Sequence, residues 1–320
     1  MTTICLVACY FGSWPRYIDL FLESCRRNPT IDLLFFSDCG PLPDAPNNVR
    51  VVPTSLDAVR DRIREKLDVE PAIVTPYSLC DFKPTYGVLF DDYLADYDFW
   101  GCTDADLIYG DVRSFITEEL LAANDVISAR ASYLTGFFFL FRNERRLNAL
   151  YTQSADYERV LQSKRHFSFT ECNYKWDALI GGASIFDLDT EIESMTEVIQ
   201  REEKKGLHYH FADFGREVMD GVEFLWNDGC LVECFPNRSV ERMLLHFVIL
   251  KNQYYFTFPE WDAVPNRYHV RPTGFYRDHE LDGVARLRAL PLGAIARKWW
   301  AQTTADITRR LSSYTHSSSA

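Results

Sequence analysis

Residues 97–111 read Tyr-Asp-Phe-Trp-Gly-Cys-Thr-Asp-Ala-Asp-Leu-Ile-Tyr-Gly-Asp, the most informative stretch of the 320-residue chain. An apolar run typical of a buried strand stops abruptly at the acidic pair Asp104 and Asp106. Two carboxylates two positions apart in an extended segment point to the same side. Because the strand has just ended, we expect both to project from the carboxyl edge of a sheet, where open α/β sheets bind ligands. A hard divalent cation prefers such oxygen ligands, and it can bridge two phosphate groups.

The acidic pair also has a simpler interpretation. Asp-x-Asp occurs by chance in many chains, often as an acidic turn on a solvated loop. Here the pair follows several strand and helix units rather than opening the chain, and this setting favours a binding site.

The first half of the chain alternates short apolar runs with longer amphipathic ones. This pattern is typical of strand and helix units around a mainly parallel sheet flanked by helices, so we predict the α/β class. Ser55 is predicted to cap the helix that follows it. The predicted strands are 3–9, 32–37, 49–52, 98–103, 125–130 and 136–142, of which the last is fully apolar and therefore central, and the predicted helices are 15–27, 55–67, 83–94 and 144–165.

Periodicity weakens after residue 165. We expect short strands and loops over 166–240, including strands at 222–225 and 231–235. Residues 243–258 indicate a strand or a buried helix followed by an aromatic stretch, and 284–312 indicate one or two basic helices.

Composition narrows the function classes. The 320 residues carry a formal net charge of −12, which argues against a general nucleic-acid binder because such proteins need a basic face. The hydrophobic fraction of 47% is that of a soluble globular enzyme. Nine scattered cysteines, no secretory signal and no apolar run of ~18 residues together predict a cytoplasmic protein with reduced thiols.

Two segments together resemble a known family. Pro76-Tyr-Ser-Leu-Cys-Asp-Phe-Lys-Pro-Thr-Tyr-Gly87 combined with 97–111 is similar to bacterial polysaccharide-biosynthesis transferases, and the wider chain over about 1–250 resembles GT-A glycosyltransferases. The resemblance implies a GT-A (Rossmann-like) catalytic domain over 1–260, with a nucleotide-sugar-binding half over 1–115 and an acceptor half over 116–260. Residues 261–320 would be a C-terminal basic helical extension.

The resemblance also implies roles for residues that match the family pattern. Tyr10 and Phe11 would border the nucleotide base and ribose, and Asp38 would accept a base or ribose hydrogen bond; strand-end packing and turn capping are the alternatives for Phe11 and Asp38. Lys83 would reach a donor phosphate or the sugar, as a point-like cation can. Asp106 would bind the metal directly, and Asp104 would bind the ribose, or the metal through water.

His246 and Lys251 are similar to the histidine and downstream lysine of the family 8 retaining enzymes. The resemblance implies that His246 completes the metal site and that Lys251 contacts the donor; an ordinary buried histidine is the alternative. An inverting transferase also needs a base to deprotonate the acceptor hydroxyl, for which Glu171 and Asp177 are the candidates, whereas a retaining enzyme needs no such base.

These features lead to one hypothesis and two rivals. The hypothesis is a glycosyltransferase that uses Mn²⁺ or Mg²⁺ and a nucleotide diphosphate sugar, with UDP expected as the nucleotide. It would extend a saccharide or lipid-linked saccharide of an O-antigen or capsule. Residues 283–316, basic and containing Trp299-Trp300, would either contact the inner membrane or pack onto the domain. The rivals are a nucleotidyltransferase acting on sugar phosphates and a non-catalytic carbohydrate-binding protein.

Overall fold

The computed structural model describes residues 1–217 and 222–281, which hold the following elements. The strands are β1 (Ile4–Tyr10), β2 (Ile31–Ser37), β3 (Val49–Pro53), β4 (Phe99–Thr103), β5 (Leu107–Tyr109), β6 (Val126–Ser128), β7 (Phe138–Arg142), β8 (Tyr209–Phe211), β9 (Gly215–Arg216), β10 (Glu223–Asn227), β11 (Cys230–Phe235), β12 (Arg238–Arg242), β13 (Leu244–His246), β14 (Arg267–Arg271) and β15 (Gly274–Tyr276). The α-helices are α1 (Ile18–Arg26), α2 (Leu56–Leu67), α3 (Tyr86–Leu89), α4 (Asp91–Leu94), α5 (Glu118–Ala123), α6 (Arg145–Asn148), α7 (Tyr157–Leu161), α8 (Trp176–Ile180) and α9 (Met195–Glu202).

The central sheet of the described chain has seven strands in the order β3-β2-β1-β4-β7-β6-β8. Strands β3, β2, β1 and β4 are mutually parallel, as are β6 and β8. Strand β7 runs antiparallel to its neighbours β4 and β6, which confirms its predicted interior position. The predicted α/β class with a mainly parallel central sheet flanked by helices is therefore confirmed.

The inner strands of this sheet are largely apolar and buried because both of its faces are covered. In β1, Cys5 and Val7 pack into one core with α2 and α9, while Ile4 and Leu6 pack into a second core with α1. This alternation follows from side chains pointing to opposite faces along a strand. Ser55 caps α2 by accepting a hydrogen bond from the amide of Ala58 at 3.1 Å, as predicted.

The predicted helix over 83–94 is wrong in its extent. Residues 76–85 form a 3₁₀ helix that contains Pro84, and the short helices α3 and α4 follow it. Proline lacks an amide donor and crowds the preceding turn, so a continuous α-helix through this position is disfavoured.

The predicted helix over 144–165 is also broken. Between α6 and α7, the Ser154 hydroxyl donates to the Glu193 carbonyl at 2.7 Å, and the Asp156 carboxylate accepts from the Glu193 amide at 2.8 Å. These tertiary hydrogen bonds hold the chain away from helical geometry, and no local pattern reveals them. The expectation of only short strands and loops over 166–240 is corrected as well, because α8 and α9 lie there.

Two smaller sheets complete the described chain. Strands β5, β13 and β9 form one, and β12-β11-β10-β14-β15 form an antiparallel sheet, which confirms the strands predicted at 222–225 and 231–235. Its last two strands lie beyond residue 260, so the expected domain boundary falls inside this sheet. The predicted helices over 284–312 and the membrane-contacting segment 283–316 lie outside the described residues. Among the helices that the structure does describe, none has the length and apolar character needed to span a bilayer.

Candidate functional site

The acidic pair lies where the sequence predicts it, directly after β4. Strand β4 ends at Thr103 and β5 begins at Leu107, so Asp104 and Asp106 occupy the connection between them. Because β1, β2 and β4 are parallel, their carboxyl ends share the edge of the sheet from which this connection emerges. Asp106 is only 4% exposed, whereas Asp104 is half-buried.

Strand pairing brings His246 to the acidic pair. Strand β13 pairs antiparallel with β5, and His246 lies opposite Leu107, one residue after Asp106. The amide of Phe247 also donates to the Asp106 carbonyl at 3.2 Å. As a result, one ligand atom from each of Asp104, Asp106 and His246 lies within 4.8 Å of the others.

These three side chains fit a divalent cation. His246 Nδ1 lies 3.3 Å from Glu217 Oε1, and because a carboxylate can only accept, Nδ1 carries the proton. His246 Nε2, which faces Asp106 Oδ1 at 3.4 Å, is buried and has no hydrogen-bond partner in the described chain. A histidine oriented by a carboxylate, beside two aspartates, is a typical donor set for such an ion.

The carboxylates around His246 also favour a proton on its imidazole, in competition with a cation. Burial alone lowers the pKa of His246, but Asp106 and Glu217 outweigh burial and raise that pKa to about 10. Burial also raises the pKa of Asp106, but His246 and Lys251 outweigh it and hold that pKa well below its usual range. A cation bound by this site must compete with the histidine proton, as metal binding to imidazole generally does.

Two lysines neutralise the acidic pair. Lys251 Nζ lies 2.7 Å from Asp106 Oδ2, and Lys83 Nζ lies 2.6 Å from Asp104 Oδ1. Lys83 is buried and also donates to the Gly136 carbonyl at 2.6 Å. The sequence predicted both lysines as site residues, but it did not reveal that each is ion-paired to one aspartate.

These groups line a pocket of about 490 Å³. Two predicted site residues do not line it. Asp38 is exposed and accepts a hydrogen bond from the Gly12 amide at 2.7 Å, which is the turn-capping alternative, and Asp177 is exposed on α8. The predicted site residues that line the pocket are Tyr10, Phe11, Lys83, Asp104, Asp106, Glu171, His246 and Lys251.

Glu171 faces the pocket as a largely buried carboxylate with fixed orientation. Its Oε1 accepts from the Gly136 amide at 3.1 Å, and its Oε2 accepts from the Ser168 hydroxyl at 3.0 Å and the Trp176 indole at 2.8 Å. Burial, with repulsion from Glu217, raises the pKa of Glu171 despite these donors. A raised pKa suits a group that must take up a proton near neutral pH.

Three pocket-associated residues were missed from the sequence. Glu217 orients His246, and no local pattern identifies it because the contact is tertiary. Asp81 lies inside segment 76–87, and the resemblance of that segment to a known family could have identified it. Its carboxylate accepts from the amides of Phe167 and Phe169 at 2.6 and 2.8 Å. Gly136 bridges Lys83 and Glu171 through its carbonyl and amide.

Comparisons with known proteins give one family and a number of distantly similar solved structures, two of which are described below. The model of a family described as "Family of unknown function (DUF6625)" matches residues 6–279. The crystal structure of galactosyltransferase LgtC in complex with donor and acceptor sugar analogs is 11% identical, with a TM-score of 0.33 over 68% of this chain and 76% of that chain. The crystal structure of mouse xyloside xylosyltransferase 1 in its apo form is 11% identical, with a TM-score of 0.36 over 68% of this chain and 88% of that chain. No curated protein sequence matches the chain.

Proposed function

We propose that this chain, which belongs to the family of unknown function DUF6625, is a metal-dependent glycosyltransferase that takes its sugar from a nucleotide diphosphate donor. The observation that carries the proposal is the cluster of Asp104, Asp106 and His246 inside a pocket at the carboxyl edge of the central sheet. A Mn²⁺ or Mg²⁺ ion held there would neutralise charge on the departing diphosphate.

The residues around the cluster supply the remaining donor contacts. Tyr10 ends β1 and Phe11 follows it at the same edge of the sheet, and the two would form the wall for the base and ribose. Lys83 and Lys251, now paired with the aspartates, carry the positive charges that would bind diphosphate oxygens. Asp38, held by the Gly12 amide, would shape the loop beside the base rather than contact it.

Glu171 is the group that would accept the acceptor proton in an inverting reaction. Within the described chain its Oε1 receives a single hydrogen bond, from Gly136, so this oxygen has a lone pair for the proton. As the proton moves to Glu171, the acceptor oxygen would bond to the anomeric carbon, and the bond from that carbon to the diphosphate would break. The diphosphate leaves with the electron pair. Asp177 is exposed on α8 and does not line the pocket, so we assign it no role in this step.

The finer assignments follow from the sequence resemblance. UDP is the proposed nucleotide, and a saccharide or lipid-linked saccharide of a bacterial O-antigen or capsule is the proposed acceptor. The reaction would then take place on the cytoplasmic face of the inner membrane, which the chain would contact through residues 283–316.

Calorimetry tests the proposal directly. UDP is expected to bind the full chain with Mn²⁺ and to lose most of its affinity in EDTA. Asp106→Asn should weaken Mn²⁺-dependent UDP binding by more than about tenfold, because it removes a charged ligand. The exposed Asp262→Asn is the matched control and should bind as the parent does.

The catalytic assay is hydrolysis of UDP-glucose and UDP-galactose in the presence of Mn²⁺, measured as the release of UDP. The metal assignment would be refuted if UDP affinity is the same with and without Mn²⁺ and is unchanged in Asp106→Asn, provided that this variant keeps the parent's midpoint of thermal unfolding. Consumption of UTP with a sugar 1-phosphate would indicate the rival nucleotidyltransferase. A carbohydrate-binding protein should not bind UDP.

A further inference from the structure

Four neighbouring aromatic rings, tilted or edge-to-face at angles of 51°, 72° and 88°, run from the pocket lining to residues outside it. Tyr77 and His166 line the pocket, with ring centroids 5.0 Å apart. Tyr174 follows at 5.9 Å from His166, and Trp176 follows at 5.4 Å from Tyr174. We call Tyr77, His166, Tyr174 and Trp176 the aromatic platform.

The platform exposes apolar surface that a folded chain usually buries. Tyr77 is 65% exposed and Tyr174 is 37% exposed, although Tyr77 lies in the same 3₁₀ helix as the buried Lys83. Exposed rings next to a polar pocket are suited to the C–H faces of sugars, which pack on aromatic rings while their hydroxyls find polar partners.

The backbone beneath the platform is held in an unfavourable conformation. Ser168, Asn173 and Tyr174 have φ values of +53°, +49° and +64°, and they are three of the five non-glycine residues with positive φ in the described chain. For a bulky residue such as Tyr174 this region is strained, and strain of this kind concentrates at functional sites. Asp81 fixes the segment through two amides, and the Tyr174 hydroxyl donates to the His166 carbonyl at 2.6 Å.

The platform is linked to the proposed base. The Trp176 indole donates to Glu171 Oε2 at 2.8 Å, so one platform ring sets the orientation of that carboxylate. On the other side of Glu171, Gly136 donates its amide to Glu171 and offers its carbonyl to Lys83, which binds Asp104. A single residue thus separates Glu171 from the proposed phosphate-binding groups.

We infer that the aromatic platform is the acceptor subsite, where a hexopyranoside stacks on Tyr77 and Tyr174 and presents a hydroxyl to Glu171. This inference rests on the proposed function, because the donor is assigned to the other side of Gly136. It assigns acceptor binding to residues 77 and 166–176, whereas UDP binding depends on Asp104, Asp106 and the two lysines.

Saturation-transfer NMR on the full chain tests the subsite, with methyl β-D-glucopyranoside, methyl β-D-galactopyranoside and methyl N-acetyl-β-D-glucosaminide as probes in the presence of UDP and Mn²⁺. At least one glycoside should receive saturation at its ring C–H protons. Tyr77→Ala should weaken that glycoside's binding about tenfold or more, equivalent to ~1.4 kcal/mol, while Tyr77→Phe should retain it because the ring remains. Tyr254→Ala is the matched control, since Tyr254 is 98% exposed and does not line the pocket.

UDP binding measured on the same variants separates the two proposals. Intact UDP binding in Tyr77→Ala, with glycoside binding lost, supports the subsite. Absence of a Tyr77-dependent signal from all three glycosides in a chain that binds UDP with Mn²⁺ overturns the subsite and leaves the proposed function standing. If the chain binds a glycoside through Tyr77 but does not bind UDP, the result supports a saccharide site and overturns the transferase assignment instead.

Discussion

Replacing Glu217 by alanine is expected to weaken Mn²⁺ binding although Glu217 is not placed as a ligand. Its Oε1 accepts from His246 Nδ1 at 3.3 Å, which keeps Nε2, without a hydrogen-bond partner among the described residues, directed at Asp106. Without Glu217 the imidazole can place its proton on either nitrogen and rotate more freely. Loss of such an orienting carboxylate typically costs 10-fold to 100-fold in metal affinity, which is ~1.4–2.8 kcal/mol.

Isothermal titration of Mn²⁺ into the Glu217→Ala chain measures the effect. Glu217→Gln should lose less, because its amide oxygen can still accept from Nδ1. The exposed Glu260→Ala removes one negative charge elsewhere and should leave Mn²⁺ affinity unchanged. Parent-like affinity in Glu217→Ala, or equal losses in Glu217→Ala and Glu260→Ala, would show that the hydrogen bond to His246 does not support the site.

Two further predictions concern the five-stranded sheet. Glu233 is 0% exposed and is paired with Arg216 and Arg242, whose side chains are 36% and 19% exposed and can be solvated when the carboxylate is removed. Glu233→Ala should therefore lower the free energy of unfolding in urea by ~1.5–3 kcal/mol, and a loss below about 1 kcal/mol would contradict this. A hydrogen bond to Glu223, supported by Asp278 and opposed by burial, raises the pKa of His269 above its unfolded value. The stabilisation from His269 is then fully present below about pH 6.5 and is lost as the pH rises through the raised pKa. Urea unfolding from pH 6 to pH 9 should therefore show a stability difference between the parent and His269→Gln that shrinks with pH, and a constant difference would refute the argument.

The sequence was informative where chemistry and strand ends coincide. Asp104 and Asp106 stood out because an apolar run ended at them, and this is how parallel strands present ligands at a sheet edge. The sequence was misleading where contacts between distant residues override the local preference for a helix. The run 144–165 has helical composition, but hydrogen bonds from Ser154 and Asp156 to Glu193 interrupt the helix. Glu217 could not be predicted for a related reason. It orients His246 only after β13 has paired with β5 and brought His246 beside Asp106.

The charges around the acidic pair would allow the proposed site to bind a cation and a diphosphate together. Asp106 is buried, and a buried carboxylate is stable only if nearby positive charge compensates it. Lys251 supplies that charge at Asp106, and Lys83 does the same at Asp104. When a cation takes over the carboxylates, both ammonium groups need new partners, and the phosphate oxygens of a donor are suitable ones. Cation and donor should therefore bind more tightly together than alone, because each leaves uncompensated charge that the other neutralises.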